Sequence, residues 1–189
     1  EEFVVDEILG FAPGGAGPHA LLQVRKRNAN TEWVARELAR AAAVRPFDVG
    51  YAGLKDRRAV TTQWFTVPLG KRTPDSWLGF SGEGFLVEAA HAHQRKLPRG
   101  ALAGNRFALR LRDFSGDRAA CEARVTAVAV AGAPNYFGPQ RFGRNRSNLA
   151  AGTPGNRAME LSAARSLIFN AVLAQRVIDG SWRTLRPGD

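Results

Sequence analysis

Short strand-like segments separated by turns rich in glycine and proline dominate residues 1–112, and this pattern constrains the fold more than any other feature. The predicted strands cover residues 3–9, 19–26, 47–52, 62–68, 85–90 and 105–112. A helical pattern over Thr31–Val44 lies among them and ends before Pro46, and two further helices are predicted over 117–130 and 159–178. Because strands and helices do not alternate regularly, the sequence predicts an α+β fold.

Two of these segments carry more detailed predictions. The first two strands are joined by the turn-rich residues 13–18, which indicates a long hairpin. In the last segment, Phe107, Leu109 and Leu111 alternate with arginines, which predicts a half-buried strand with a basic face. The same alternation places Asn105 on the face that carries Phe107.

The charge of the chain indicates a polyanionic partner. Its 189 residues, enough for one domain or slightly more, carry 27 Lys+Arg against 17 Asp+Glu, a net charge of +10. Only four of the basic residues are lysine, and the arginine fork fits phosphate bidentately. We therefore expect nucleic acid ahead of an acidic membrane, the alternative being an organism with arginine-rich proteins throughout.

Other features limit the location and the chemistry. A single cysteine, Cys121, excludes an intramolecular disulfide, and no apolar run approaches the ~20 residues that span a bilayer. With no signal-peptide pattern, we expect a cytoplasmic protein. Three histidines and one cysteine give no ligand set for a metal, and no phosphate-binding glycine loop is present.

The segment Gly53–Ala59 contains one candidate catalytic group. Asp56 stands among Lys55, Arg57 and Arg58, and neighbouring cations favour an ionised carboxylate. Such a group can act as a nucleophile or as a general base beside a phosphodiester backbone. The alternative is a turn aspartate that accepts hydrogen bonds from local backbone N–H groups.

Two further segments have the composition of an RNA-binding surface. Asn105 offers a donor and an acceptor to a base edge, and Phe107 offers a stacking face, although Phe107 as a core residue is the alternative. Residues 134–146 interleave aromatic residues with arginines, which suits single-stranded RNA and equally suits a packed structural loop.

Taken together, these motifs resemble the TruD family of tRNA pseudouridine synthases. The matching segments, in the expected order, are Glu2–Val5, Gly53–Asp56 with Ala59, Thr61 and Gln63, Gly104–Phe107, Pro134–Gly138, Gln140–Gly143 and Leu161–Ser166. The resemblance extends over nearly the whole chain.

The resemblance implies a pseudouridine synthase catalytic fold, which is a mixed, mostly antiparallel sheet flanked by helices. It implies isomerisation of a uridine in tRNA, with uridine 13 the usual bacterial target, and no cofactor or metal. Asp56 corresponds to the catalytic aspartate. The substrate-binding positions are Phe3, Asn105, Phe107 and, as an ionic neighbour of the aspartate, Lys55.

The resemblance also bears on the extent of the chain. Residues 1–189 are expected to be the N-terminal part of the catalytic domain, with the family's inserted domain and the completion of the sheet absent. The junction Gly152–Arg157 is shorter than is usual in the family. Nothing in the sequence indicates an obligate assembly, so a monomer is expected.

Three alternative functions remain open at this stage. A non-catalytic RNA-binding module would use the same arginine surface without needing Asp56. A nuclease would be expected to carry clustered metal-binding carboxylates. An RNA methyltransferase would be expected to carry a glycine-rich nucleotide loop.

Overall fold

A computed structural model describes residues 2–149 and 157–188, so most of the junction 152–157 lies outside the described residues. The chain forms two compact units, residues 1–114 and 115–189. The first unit contains every strand in the described part of the chain. The strands are β1 (Phe3–Leu9), β2 (His19–Lys26), β3 (Gly50–Tyr51), β4 (Val60–Pro68), β5 (Ser81–Gly82), β6 (Phe85–His93) and β7 (Leu102–Leu109).

The strands form one mixed, open sheet in the order β5-β6-β2-β4-β1-β7, and β3 also pairs with β4. All pairings are antiparallel except that of β1 with β4, where Val4 lies beside Val60. This arrangement confirms the predicted α+β class and the mostly antiparallel sheet. The hairpin predicted for the first two strands is wrong, because β4 lies between β1 and β2.

The composition of β4 explains its central position. Seven of its nine residues are buried, since it is covered by β2 along one edge and by β1 and then β3 along the other. A strand whose residues are buried on both faces loses most free energy if it is left at an edge, so it takes the centre and separates β1 from β2.

Two other predicted strands differ from the structure. Residues 46–48 form a short 3₁₀ helix that begins at Pro46, so the strand predicted over 47–52 shrinks to Gly50–Tyr51. The strand predicted over 105–112 ends at Leu109 and is not half-buried. Phe107 is 59% exposed and Leu109 is 64% exposed, because β7 is an edge strand of the sheet.

The main core lies between the sheet and helix α1 (Thr31–Ala42). Val34 and Leu38 of α1 are fully buried against Leu22 and Phe65 of the sheet. The helix ends at Ala43, which adopts a left-handed conformation with φ +56°, and Pro46 follows. A smaller cluster contains Leu21, Ala52, Trp64 and Leu97, and Leu21 and Trp64 place it on the opposite face of the sheet.

The second unit contains helices α2 (Arg118–Ala131) and α3 (Arg157–Ile178), close to the predicted ranges. Asp117 caps α2 by accepting a hydrogen bond from the Ala120 amide at 3.1 Å. Residues 134–149 contain short 3₁₀ segments. Two of these residues contact α3. Phe137 packs edge-on against Phe169, and both of its backbone polar groups bond the Asn170 side chain at 2.9 Å. The Arg141 guanidinium donates to the Ser162 hydroxyl at 3.3 Å.

Candidate active site

A buried lysine holds the loop that carries Asp56. Lys26, at the end of β2, is 1% exposed. Its ammonium donates to the carbonyl oxygens of Ala29 and Asp56 at 3.0 Å and of Lys55 at 3.5 Å. Burial lowers the pKa of Lys26 to about 8, against the opposing effect of the nearby Asp56 carboxylate, so the ammonium is still mostly charged at pH 7. The charged donor therefore fixes the two consecutive carbonyl groups of Lys55 and Asp56.

A buried ion pair fixes the same loop to the neighbouring strand. The Lys55 ammonium pairs with Glu7 of β1, and their side chains are 6% and 0% exposed. The second Glu7 oxygen accepts from the Trp64 amide at 3.1 Å, so both carboxylate oxygens are satisfied. Lys55, which the sequence assigns to substrate contact, thus has a protein partner and little exposed surface.

A third set of hydrogen bonds joins the loop to the start of α1. The Thr31 hydroxyl donates to the Gln63 side-chain oxygen and accepts from the Lys55 amide, both at 3.0 Å. The Gln63 amide group donates to the Gly53 carbonyl at 2.6 Å. Gln63 and Thr31 are buried, so the loop from Gly53 to Asp56 rests on a satisfied polar network.

The Asp56 side chain is exposed to solvent. One carboxylate oxygen accepts a hydrogen bond from the Arg58 amide at 2.7 Å, which is an Asx-type turn contact. The turn interpretation of Asp56 therefore describes part of its geometry correctly. It does not occupy both oxygens, and the group remains accessible to a ligand.

The predicted stacking residues lie on the same face of the sheet as this network. Val5 pairs with Thr61 of β4 and with Phe107 of β7, and Thr61 pairs with Lys26 of β2. Directly paired residues point to one face, so Lys26 and Phe107 belong to one cross-sheet row. Three inter-strand spacings separate them, about 14 Å.

The aromatic end of that row is exposed and ordered by stacking. The rings of Phe3 and Phe107 are nearly parallel, with centroids 6.3 Å apart and an interplanar angle of 11°. Asn105 lies opposite Glu7, which the Lys55 pair connects to the aspartate loop. The predicted shared face of Asn105 and Phe107 is confirmed, and the interpretation of Phe107 as a core residue is not supported by its 59% exposure.

The predicted residues Phe3, Asn105 and Phe107 lie on one face of the sheet. Lys26 and Lys55 attach the Asp56 loop to the same face, and about 14 Å separate Lys26 from Phe107. Sequence reasoning missed Glu7, Lys26 and Thr31. A charged residue at an inward position of a strand was the available signal for the first two. Nothing in the local sequence showed that Thr31 would contact a segment 24 residues away.

Residues 2–149 and 157–188 contain no group of three histidine, cysteine or acidic side chains arranged to hold a metal. Among the helices described, none is long and apolar enough to cross a membrane. The contacts of Phe137 and Arg141 with α3 favour the structural interpretation for those two residues.

Comparison with solved structures supports the fold. The chain resembles the crystal structure of a protein from Methanosarcina mazei described as tRNA pseudouridine synthase D (TruD). The TM-score is 0.65 and the sequence identity is 21%. The match extends over the full length of this chain and covers 54% of the other. At this identity the likeness shows the fold, which is that of the pseudouridine synthase structure.

The sequence comparisons then identify the family. The family model for tRNA pseudouridine synthase D (TruD) matches residues 1–151. Proteins named tRNA pseudouridine synthase D from Methylococcus capsulatus and Nitrosococcus oceani are 52% and 50% identical across the whole chain. The chain belongs to the TruD family. It spans 56% of the length of each of these two relatives.

Proposed function

We propose that this chain is the N-terminal part of the catalytic domain of a tRNA pseudouridine synthase that isomerises uridine to pseudouridine, with uridine 13 of tRNA as its target. The observation that carries the proposal is the position of Asp56. Its carboxylate is open to solvent, while a buried network of Lys26, Lys55 and Thr31 fixes the backbone that carries it. A catalytic carboxylate needs both access to a substrate and a fixed position.

The reaction places few demands on the protein beyond binding and positioning. The N1–C1′ glycosidic bond of uridine breaks, the detached uracil turns, and C5 bonds to C1′ while the C5 proton is lost and N1 regains one. The product has the same atoms as the substrate, so the chemistry calls for no cofactor. Asp56 acts either as a nucleophile at the sugar or as a base that removes a sugar proton, and both roles require its ionised form.

The aromatic pair supplies the second requirement, a place for an extruded base. A base that leaves its stack costs a few kcal/mol, which stacking on an aromatic side chain partly offsets. The exposed ring of Phe107, backed by Phe3, offers such a face, and Asn105 on the same strand offers a donor and an acceptor. Lys55 precedes Asp56 in the chain, but its ammonium pairs with Glu7, so its proposed role is to hold the loop that carries the aspartate.

The charge around the site suits a tRNA substrate, and we propose a monomeric cytoplasmic enzyme. Arg57 and Arg58 flank the aspartate, and the chain carries a net charge of +10, which favours a polyanionic substrate. The relatives that share half or more of the sequence are named tRNA pseudouridine synthase D, which supports tRNA as the substrate class.

The test is Asp56→Asn in the protein as its gene encodes it. Incubation with unmodified tRNA, followed by detection of pseudouridine at nucleotide resolution, should give product at position 13 for the wild type and none for the variant. Binding of tRNA should survive, because Asn keeps the size of the side chain. Asp75→Asn, at an exposed aspartate of the 3₁₀ helix Pro74–Trp77, is the matched control and should retain activity.

Three outcomes contradict parts of the proposal. Full activity in Asp56→Asn would reject the catalytic role. Product at another uridine would reject position 13. Tight, salt-dependent binding by the wild type without product would favour the non-catalytic RNA-binding module.

A further inference from the structure

A cavity lies beside α1, and the residues that line it are not part of the aspartate site. Its volume is about 610 Å³, within the range of ~300–1,000 Å³ that is common for ligand sites. Its walls come from α1, the 3₁₀ helix Pro46–Asp48, β3 and residues 96–99. Arg36, Lys96 and Arg99 contribute three positive charges to the lining, and Glu32 is its only carboxylate.

Two of these cations lie against aromatic rings. The Arg99 guanidinium is 3.7 Å from the ring centroid of Tyr51, and the Lys96 ammonium is 4.1 Å from that of Phe47. Stacking fixes the plane of the guanidinium, so less side-chain entropy is lost when its N–H groups bind a phosphate. Phe47 is 79% exposed, so its ring is accessible to a ligand.

The wall that carries these cations is fixed by buried contacts. Leu97 is 2% exposed, and its amide donates to the Thr66 hydroxyl at 2.8 Å. The Gly100 amide donates to the Ala52 carbonyl at 2.7 Å. At Gly50 an added Cβ would lie 2.6 Å from the Leu97 carbonyl oxygen, so the close approach of β3 to this wall depends on glycine. The cations therefore stand on a rigid support.

Arg36 links this cavity to the aspartate loop. It also lines a smaller cavity of about 270 Å³, together with Asn28 and with Arg57, the residue that follows Asp56. The Arg57 guanidinium donates to the Asn28 carbonyl at 3.1 Å, which holds it at that place. Basic groups thus run from the Asp56 loop past Arg36 to Lys96 and Arg99, all within the first unit.

We propose that the cavity formed by α1 and residues 96–99 binds the RNA substrate at a second point away from the reacting uridine, with phosphates on Arg36 and Arg99 and a base against Phe47. The combination of cations with an exposed aromatic ring is what a nucleic acid strand requires, since the cations bind the backbone and the ring binds a base. This inference rests on the proposed function for the identity of the RNA.

The experiment uses the protein as its gene encodes it and an unmodified tRNA transcript. The variants are Arg36→Gln/Arg99→Gln and Phe47→Ala, whose side chains are exposed, so the fold should survive both changes. The control is Arg40→Gln, one turn along α1, where the guanidinium pairs with Glu37 outside the cavity. The dissociation constant is measured by fluorescence anisotropy over a series of KCl concentrations, and kcat and KM by pseudouridine formation.

We expect the double variant to weaken tRNA binding by about tenfold or more at low salt and to raise KM with kcat within about twofold, because no reacting atom is touched. The slope of log K against log salt should fall by about 0.7–0.9 for each phosphate that the variant no longer neutralises. Phe47→Ala should weaken binding while leaving that slope unchanged, since it removes stacking without removing charge. Arg40→Gln should match the wild type in every measurement.

The two proposals fail in different ways. An unchanged dissociation constant and salt slope in the double variant would overturn the cavity proposal even if Asp56→Asn abolishes turnover. Equally weakened binding in Arg40→Gln would also overturn it, because the effect would then be one of general charge. A wild type that makes no pseudouridine would reject the proposed function, and the anisotropy series would still decide whether the cavity binds RNA.

Discussion

Removal of either partner of the buried pair of Glu7 and Lys55 should strongly destabilise the first unit. Both side chains are nearly inaccessible, and Glu7 also accepts from the Trp64 amide. Removal of one partner of such a pair leaves an uncompensated buried charge, which typically costs about 3–5 kcal/mol. We therefore expect Lys55→Met to lower the free energy of unfolding by about 3–5 kcal/mol.

The double variant separates this effect from ordinary loss of packing. In Glu7→Gln/Lys55→Met neither charge remains, and the Gln side chain can still accept from the Trp64 amide. Its loss of stability should be smaller than the sum of the two single losses, with a coupling energy of about 2–3 kcal/mol. The exposed pair of Glu37 and Arg40 on α1 is the control, and its coupling energy should be below about 1 kcal/mol.

The measurement is denaturant unfolding followed by tryptophan fluorescence. Trp33, Trp64 and Trp77 belong to the first unit, so the signal reports mainly on the sheet that contains the pair. A coupling energy as small as that of the surface control would refute the reasoning. It would mean that solvent reaches the pair and screens it, despite its burial in the structure.

Two further predictions concern the same loop. Because the pKa of Lys26 falls from 10.5 to about 8 in the folded protein, the unfolded chain binds a proton that the folded chain does not between pH 8 and 10.5. The free energy of unfolding, measured by urea titration, should therefore rise with pH across this window in the wild type relative to Lys26→Met. The expected difference is at most about 3 kcal/mol. Parallel pH profiles of the two proteins would contradict the burial of the ammonium. Thr31→Val should destabilise the unit by about 1–3 kcal/mol, because the Lys55 amide loses its acceptor and Gln63 loses a donor. Thr31→Ser keeps the hydroxyl and should lose much less stability in the same titration, and equal losses in both variants would assign the effect to the methyl group.

The local pattern of the sequence was sufficient to predict most of the strands and helices and the residue types of the candidate site. The bounds of β1 and β2 agree with the predicted segments, and α1 begins at the predicted residue. Alternation along β7 correctly placed Asn105 and Phe107 on one face. These successes have one cause, since side-chain direction follows from the period of a strand or helix and needs no knowledge of its neighbours.

The pairing of the strands could not be predicted in the same way. Alternation shows which residues share a face of the sheet, but it does not show which strand lies alongside. The turn-rich residues 13–18 between β1 and β2 therefore led to the expectation that these two strands are adjacent. The parallel pairing of Val4 with Val60 joins segments more than fifty residues apart, and no turn between them fixes the register. The burial of β4 decides this arrangement, and burial is a property of the whole sheet.

The sequence alone determined that a lone aspartate, Asp56, stands among basic residues after a glycine, and that aromatic and amide groups recur on a later strand. Only the tertiary structure decided that Glu7 and Lys26 hold its loop, because their contacts cross from one strand to a distant turn. Only the tertiary structure likewise decided the position of the cations in the cavity beside α1. Arg36 and Arg99 are 63 positions apart in sequence and line one cavity because α1 packs beside β3. The sequence determines which residues are charged, whereas the position of each charge depends on which surfaces are buried together.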